Sequence, residues 1–398
     1  MQSVLGGSAR YQGWNTACSL LFLVLLAIAA IALTSCGSHS SDPQPQPNYP
    51  SVPPVPITWS PSSSTLPAPP AQVPPPQPSN DFPLRITTPI DKSTVTSPLH
   101  VVATSNPTNP IFFMRVYVDQ LAVYLTFGNS IDAQIFVTPG QHTIEIMAED
   151  NKGYISATPL NVNVSSQAQQ TTISGIQNLA GWESCGALFP PDSARAGQLC
   201  AAGGGTPDSS LTQNVSSPSM DGHSAAFSIA PKEPDCPGYC NMLYFNPIAG
   251  GNSVTHFIYD LYFQIDNPDA AQALEFDLNQ TYGGERWVWG SECNFKADGK
   301  WDIWDDGSGV WRATSIPCTA SDFPANQWNH LIWDVQQSGH NVQYNTLTVN
   351  GTVYQVNTTY PDQPTWTWEE IDTAFQMDLT WPGVPYHVWL DKVNLTAF

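Results

Sequence analysis

Between Ala273 and Asn279 the chain alternates strictly. Leu274, Phe276 and Leu278 point one way and Glu275, Asp277 and Asn279 the other, the period-two pattern of a strand with one apolar and one polar face. Tyr282-Gly283-Gly284 then predicts a tight turn, and Arg286–Trp289 a returning strand. The same alternation recurs through the rest of the C-terminal half. Phe257, Tyr259, Leu261, Phe263 and Ile265 share one face of a strand over 254–265. Further strands are predicted at 225–229, 301–304, 330–336, 343–349, 352–356, 374–379 and 387–395. Asp305-Asp306-Gly307 and Asn350-Gly351 read as hairpin turns. Ten or more strands in about 225 residues exceed one small sandwich and suit a large two-sheet jelly roll.

Upstream, strands are expected at 98–104, 111–118, 122–127, 133–137, 142–148 and 160–164, separated by turn residues such as Asp119-Gln120 and Pro139-Gly140. About seven short strands in 80 residues fit an antiparallel sandwich. Residues 37–82 contain no such periodicity. Sixteen of the 37 prolines fall between positions 43 and 83. Such sequence cannot bury a core and is expected to be a disordered, extended linker, reaching on the order of 120 Å at about 3.1 Å per residue. The first 36 residues are a targeting segment: one base, Arg10, an uncharged apolar run from Leu20 to Leu33, and the ending Leu33-Thr34-Ser35-Cys36. The run is short for a span of roughly 20 residues, although an uncleaved signal anchor stays open.

A formal charge of −21 with only 12 Lys+Arg argues against a nucleic-acid partner, since phosphate binding needs clustered bases. Cys18 lies in the apolar leader, and six of the eight cysteines, Cys185, Cys200, Cys236, Cys240, Cys293 and Cys318, fall in the last domain. An even number in an exported chain predicts disulfides. Sequence neighbours close most cheaply, giving 185–200, 236–240 and 293–318. Zinc at Cys236 and Cys240 is the alternative, without a supporting histidine pattern.

The ending at Cys36 resembles the lipobox of bacterial lipoproteins, which implies lipidation at Cys36. Gly37 and Ser38, with no Asp after the Cys, resemble the form sent to an outer membrane. The run PGQHTIEIMAEDNKGYIS is similar to bacterial immunoglobulin-like domains. The order ALEFDLNQ, GSEC, WDIWD, IPC, WNHLIWDVQ, LTVNG, FQMDL and VWLDKVNLTAF resembles a concanavalin A-like (laminin-G-like) lectin/glucanase domain of exported bacterial proteins. The expected fold class is therefore all-β: an immunoglobulin-like sandwich plus a concanavalin A-like jelly roll, preceded by a signal segment and linker. The expected boundaries are 1–36 signal, 37–82 linker, 83–166 immunoglobulin-like domain (spacer or adhesin) and 172–398 jelly roll.

The resemblance also implies chemistry that can be compared residue by residue. Laminarinase-type enzymes carry two acids and an acid/base Glu on one strand. Glu275 and Asp277 match, but Asn279 and Gln280 stand where the proton donor belongs, and an amide cannot protonate a leaving oxygen. Legume-type lectins share the Glu-Phe-Asp opening, but Thr281, Arg286 and Ser291 replace their further metal ligands. The motifs of jelly-roll alginate lyases are absent. His256 and His330 stand without the Ser or Cys motif of a triad. The reading that follows is a surface lipoprotein that binds a glycan or envelope polysaccharide without cleaving it. The expected ligand-binding residues are Glu275, Asp277, Asn279, Trp287, Trp289, Gln376 and Asp378, the indoles offering apolar faces to sugar. Alternatives are a hydrolase or lyase using Glu275 and Asp277, with Asp378 as a possible extra acid, and a structural envelope protein whose acids pair with Arg286. No cofactor is expected. Calcium is conceivable at Asp302, Asp305 and Asp306, with a solvated hairpin as the plainer reading.

Overall fold

The computed structural model describes residues 82–106, 109–165, 170–184, 207–232, 239–364, 369–380 and 383–398. Cys36, Cys185, Cys200 and Cys236 lie outside them. The fold is all-β, built from sandwiched sheets. A 12-stranded sheet runs, along its main path, through Leu84–Thr88, Leu99–Ser105, Ser130–Phe136, Tyr239–Gly251, Glu370–Thr380, Ala271–Tyr282, Ser291–Asn294, Lys300–Asp305 and Val310–Pro317. An 8-stranded sheet runs through Asp208–Val215, Ser224–Ala230, Tyr386–Ala397, His256–Ile265, Trp328–Gln337, Asn341–Val349 and Thr352–Pro361. A 5-stranded sheet holds Thr94–Val95, Ile155–Val164, Gly140–Asp150, Ile111–Val118 and Leu121–Phe127.

The alternating patterns explain the layers. Phe257, Tyr259, Leu261 and Phe263 of one sheet and Leu274, Phe276, Phe375 and Met377 of the other meet in one buried core. Phe263 and Phe276 lie 5.2 Å apart, ring to ring. A second core packs Val101, Ala103, Ile131 and Ala133 with Met114, Val116, Ile144 and Ile146. The hairpin turns have the φ > 0 geometry that two-residue connections demand. Gly283 and Gly284 sit at φ 62° and 88°, and Asn350 and Gly351 at 48° and 82°.

Several strands escaped the sequence reading, among them Leu84–Thr88, Asp208–Val215, Val310–Pro317 and the long Tyr239–Gly251. Tyr239–Gly251 contains Pro247, Gly250 and Gly251, residues that read as loop. It is nevertheless central, hydrogen-bonded to Glu370–Thr380 on one side and in parallel to Ser130–Phe136 on the other. Pro247 is tolerated because the register shifts between Pro247 and Ala249, the bulge at which a sheet accepts proline. The two glycines are required by contact. A Cβ on Gly250 would meet the carbonyl of Val123 and come within 2.9 Å of Tyr124 Cβ, and one on Gly251 would meet the backbone of Phe136. The sheet thus runs unbroken from the 83–166 segment into the 172–398 segment. Leu125 N–H donating to Glu369 O (2.9 Å) and an Arg115–Glu369 ion pair (3.2 Å) add to this junction.

Cys293 and Cys318 form the expected disulfide, with Cα atoms 5.5 Å apart. Cys240 is buried and disulfide-bonded.

Candidate functional site

The face of the 12-stranded sheet turned away from the core carries a row of acids. Glu275 lies directly across from Gln376 on one side and from Glu292 on the other. Ala273 pairs with Asp378, Glu292 with Asp302, and Asn279 with Asp372. Residues directly opposite in a ladder share a face, so Glu275, Asp277, Asn279, Glu292, Asp302, Gln376 and Asp378 belong to one surface. Glu275, Glu292 and Asp378 converge: one carboxylate oxygen from each lies within 4.8 Å of the others. They are 1%, 4% and 1% exposed.

Partners on this face are mostly amides. Gln376 Nε2 donates to Glu275 Oε1, Ser291 N–H to Asp277 Oδ1 (3.0 Å), Asn279 Nδ2 to Asp372 Oδ1 (2.8 Å) and Asn294 Nδ2 to Asp302 Oδ2 (3.3 Å). Glu275 Oε2 and Asp302 Oδ1 are buried without a hydrogen-bond partner among the described residues. Burial pushes the Glu275 carboxyl well up, and the charges of Asp378, Asp277 and Glu292 push it further. Glu292 is raised by burial and then by Asp378, Asp302 and Asp277. Burial lifts Asp277 to about 7 against the lowering effect of the Ser291 N–H, and Asp302 to about 6 with help from Asp298. Carboxyls that hold protons near neutrality can serve as hydrogen-bond donors or general acids.

Two expected residues are elsewhere. Trp287 and Trp289 are 2% exposed and lie in the hydrophobic core, on the opposite face. Trp287 pairs with Gln280 and Trp289 with Leu278, so both share the apolar side of the hairpin. Their indole N–H groups donate to Gly339 O (3.1 Å) and Gln336 O (3.3 Å) across the sandwich. The indoles on the acid face are Trp304 and Trp311, packed edge to face at 5.2 Å. Gly290 lies beside both: a Cβ there would come within 2.9 Å of Trp304 Cβ, 3.2 Å of Trp311 Cη2 and 3.5 Å of Asp277 Oδ1. Trp311 Nε1 has no hydrogen-bond partner among the described residues.

Glu292, Trp304 and Trp311 are the residues that sequence reasoning missed. Glu292 was within reach. Counting outward from the Gly283–Gly284 turn puts it opposite Glu275, and the same count puts Trp289 opposite Leu278 and Trp287 opposite Gln280, on the face of the leucines. Arg286, expected as a partner of the acids, reaches Asp306 at 3.7 Å. The three acids weighed as a calcium loop, Asp302, Asp305 and Asp306, have separate surroundings. Asp305 is paired with Arg312 (2.9 Å), and Asp306 accepts from Trp304 Nε1 (3.2 Å) and Val288 N–H (3.4 Å). Asp302 belongs to the acid face. All three are buried, so a solvated hairpin does not describe them.

No protein-family model and no curated protein matches this chain. Among solved structures it is similar to carbohydrate-binding modules from the β-sandwich superfamily, at 11% identity and a TM-score of 0.28 over 79% of this chain and 96% of that one. It is also similar to peanut lectin with a bound 9mer peptide, at 9% identity and 0.30 over 58% and 98%. A third is the catalytic domain of a GH131 β-glucanase from Podospora anserina, at 8% identity and 0.30 over 48% and 81%. Likenesses at these scores carry no argument about function, which rests on the site itself.

Proposed function

We propose that this chain binds a glycan on the acid face of its 12-stranded sheet. The observation that carries the reading is the convergence of Glu275, Glu292 and Asp378 within 4.8 Å, on a face where Gln376 and Trp304 are buried and Asn279 and Trp311 are partly exposed. Ionised carboxylates accept from sugar hydroxyls and protonated ones donate to them. Indole rings pack on the apolar faces of sugars. Charge-assisted hydrogen bonds contribute about 1.5–3 kcal/mol each. Glu275→Gln is therefore expected to weaken binding roughly ten- to a hundredfold. The experiment is a glycan array with the full chain, with and without calcium, followed by titration of Glu275→Gln and Glu292→Gln with melting temperatures recorded in parallel. Lost affinity at unchanged stability supports the site. Lost stability, with no glycan retained by the unaltered protein, makes the face scaffold.

A second reading, glycan hydrolysis, is favoured by one observation. Asn279 leaves the strand of Glu275 and Asp277 without an acid/base residue, but Glu292 and Asp378 come to Glu275 from neighbouring strands. Retaining cleavage needs two carboxyls about 5–5.5 Å apart, one of them protonated; the trio brings carboxylate oxygens within 4.8 Å of one another, and burial pushes Glu275 and Glu292 toward the protonated form. In that case Glu292→Gln abolishes reducing-sugar release while binding persists.

The placement we propose is a lipid-anchored envelope protein, supported by the Leu33–Cys36 ending, the apolar run and the proline-rich linker. The 83–166 segment is proposed as an immunoglobulin-like domain between linker and glycan-binding sandwich. Cys36→Ala should release the protein from the membrane fraction or leave an unprocessed precursor. Unchanged mobility and retention would overturn the anchor.

A further inference from the structure

A second group of metal-ligating side chains lies away from the acid face. Glu285 opens the strand Glu285–Trp289, directly after the Gly283–Gly284 turn. His340 sits in the turn between Trp328–Gln337 and Asn341–Val349. Asp362 lies between Thr352–Pro361 and Gln363–Pro364. One donor atom from each lies within 4.8 Å of the other two.

The scaffold around the three is fixed by bonds that do not involve their side chains. Trp287 Nε1 donates to Gly339 O at 3.1 Å, tying the His340 turn to the Glu285 hairpin. Tyr282 OH and Gln337 bond each other at 3.0–3.2 Å at the same junction. Asp362 N–H donates to His340 O at 3.0 Å, and Glu285 pairs in register with Pro364. Ligands carried on elements held this way are the arrangement a metal site needs.

Among the described residues five other His–Asp contacts are tight: 2.6 Å for His100–Asp132 and for His142–Asp119, 2.7 Å for His330–Asp260, and 2.8 Å for His256–Asp334 and for His387–Asp266. His340 and Asp362 stand at 3.3 Å, although the Asp362 carboxylate is only 7% exposed and the imidazole, at 76%, is unconfined. The imidazole and the carboxylate are hydrogen-bonded there, through the longest of these contacts. The adjacent guanidinium of Arg286 reaches Asp306.

We propose that Glu285, His340 and Asp362 bind a divalent zinc-type ion. One imidazole nitrogen and two carboxylate oxygens form a mixed donor set that suits zinc and its neighbours better than calcium, which takes oxygen donors alone. Three protein ligands with an exposed imidazole leave a fourth position for water. Bonds of about 2.0–2.2 Å require the donors to draw in by roughly 1 Å, a movement within reach of exposed His340 and half-buried Glu285. The ion neutralises two like charges held close together. It also joins the sheets, since Glu285 belongs to the 12-stranded sheet and His340 and Asp362 flank strands of the 8-stranded one. This site is independent of the glycan reading.

The test is calorimetric titration of the chelator-stripped full chain with zinc chloride, with melting temperature as second readout. Cobalt(II) absorption reports the donor set. One zinc ion per chain is expected, with a raised melting temperature, and at least tenfold weaker binding in His340→Ala, whose exposed side chain leaves the fold intact. Glu285→Gln should weaken binding as well, and His256→Ala should not. No zinc bound, or equal affinity in His340→Ala and the unaltered chain, overturns the proposal. Calcium bound equally by both, with no zinc preference, also overturns it.

Discussion

Asp277 shows what the acid face costs. It is fully buried and its pKa stands at about 7 in the folded chain against 3.8 for the ordinary group. Glu275 and Glu292 are raised in the same direction. A carboxyl whose pKa is raised on folding favours the fold fully below the unfolded value and loses that contribution as pH climbs through the folded value. The melting temperature should therefore fall between about pH 4 and pH 7. Asp277→Asn keeps an oxygen for the Ser291 N–H and removes the titration, so it should melt several degrees higher than the unaltered chain at pH 8 and about equally at pH 4.5. Thermal melts across pH decide this, and an unchanged difference at both pH values would refute it. Trp287 makes the contrasting case. As a core side chain, its replacement by Ala should destabilise by about 3–5 kcal/mol. Urea unfolding measures that loss, whereas Trp311→Ala should spare stability and weaken glycan binding. At this scale the alternation made Glu275 and Asp277 legible. The indoles were assigned to the wrong side because the pairing across the Gly283–Gly284 turn was not counted.

At the scale of elements, the Cys293–Cys318 bridge encloses the Lys300–Asp305 and Val310–Pro317 hairpin. Closing a loop with a sequence separation of 25 should contribute about 3–4 kcal/mol in the chain-entropy model. The double Cys→Ser variant is expected to unfold at correspondingly lower urea, and peptide mapping of non-reduced protein should recover the bridged pair. The Tyr239–Gly251 strand gives a sharper test. Gly250→Ala places a Cβ against the Val123 carbonyl, backbone that has no side-chain freedom to yield. The variant should open the parallel pairing with Ser130–Phe136 and expose that junction to protease, while substitution at exposed Gly351's partner Asn350 by Gly should not. This strand stayed hidden in the sequence because Pro247 and the glycines speak against a strand locally. Its two long neighbours override that local preference.

For the whole molecule, the consequence of an unbroken 12-stranded sheet is mechanical. The 83–166 segment is joined to the sandwich by parallel strand pairing, by Leu125–Glu369 and by the Arg115–Glu369 ion pair, rather than only by the chain that links them. Calorimetry should show one cooperative transition for residues 82–398, and Gly250→Ala should split it into two. Two transitions in the unaltered chain would show that the junction contributes little.

By itself the sequence determined the all-β class, the hairpins at Gly283–Gly284 and Asn350–Gly351, the Cys293–Cys318 pairing and the row Glu275, Asp277, Asn279. Each depends on periodicity, turn chemistry or short loop closure, which are local. Tertiary structure alone decided that Asp378 and Gln376 would stand beside Glu275, 101 residues away for the Gln376 contact, and that His340 and Asp362 would meet Glu285. A period of two says which side of its own strand a residue takes. It does not say which distant strand lies alongside or in what register, because the packing of two apolar faces fixes both only when the sandwich closes.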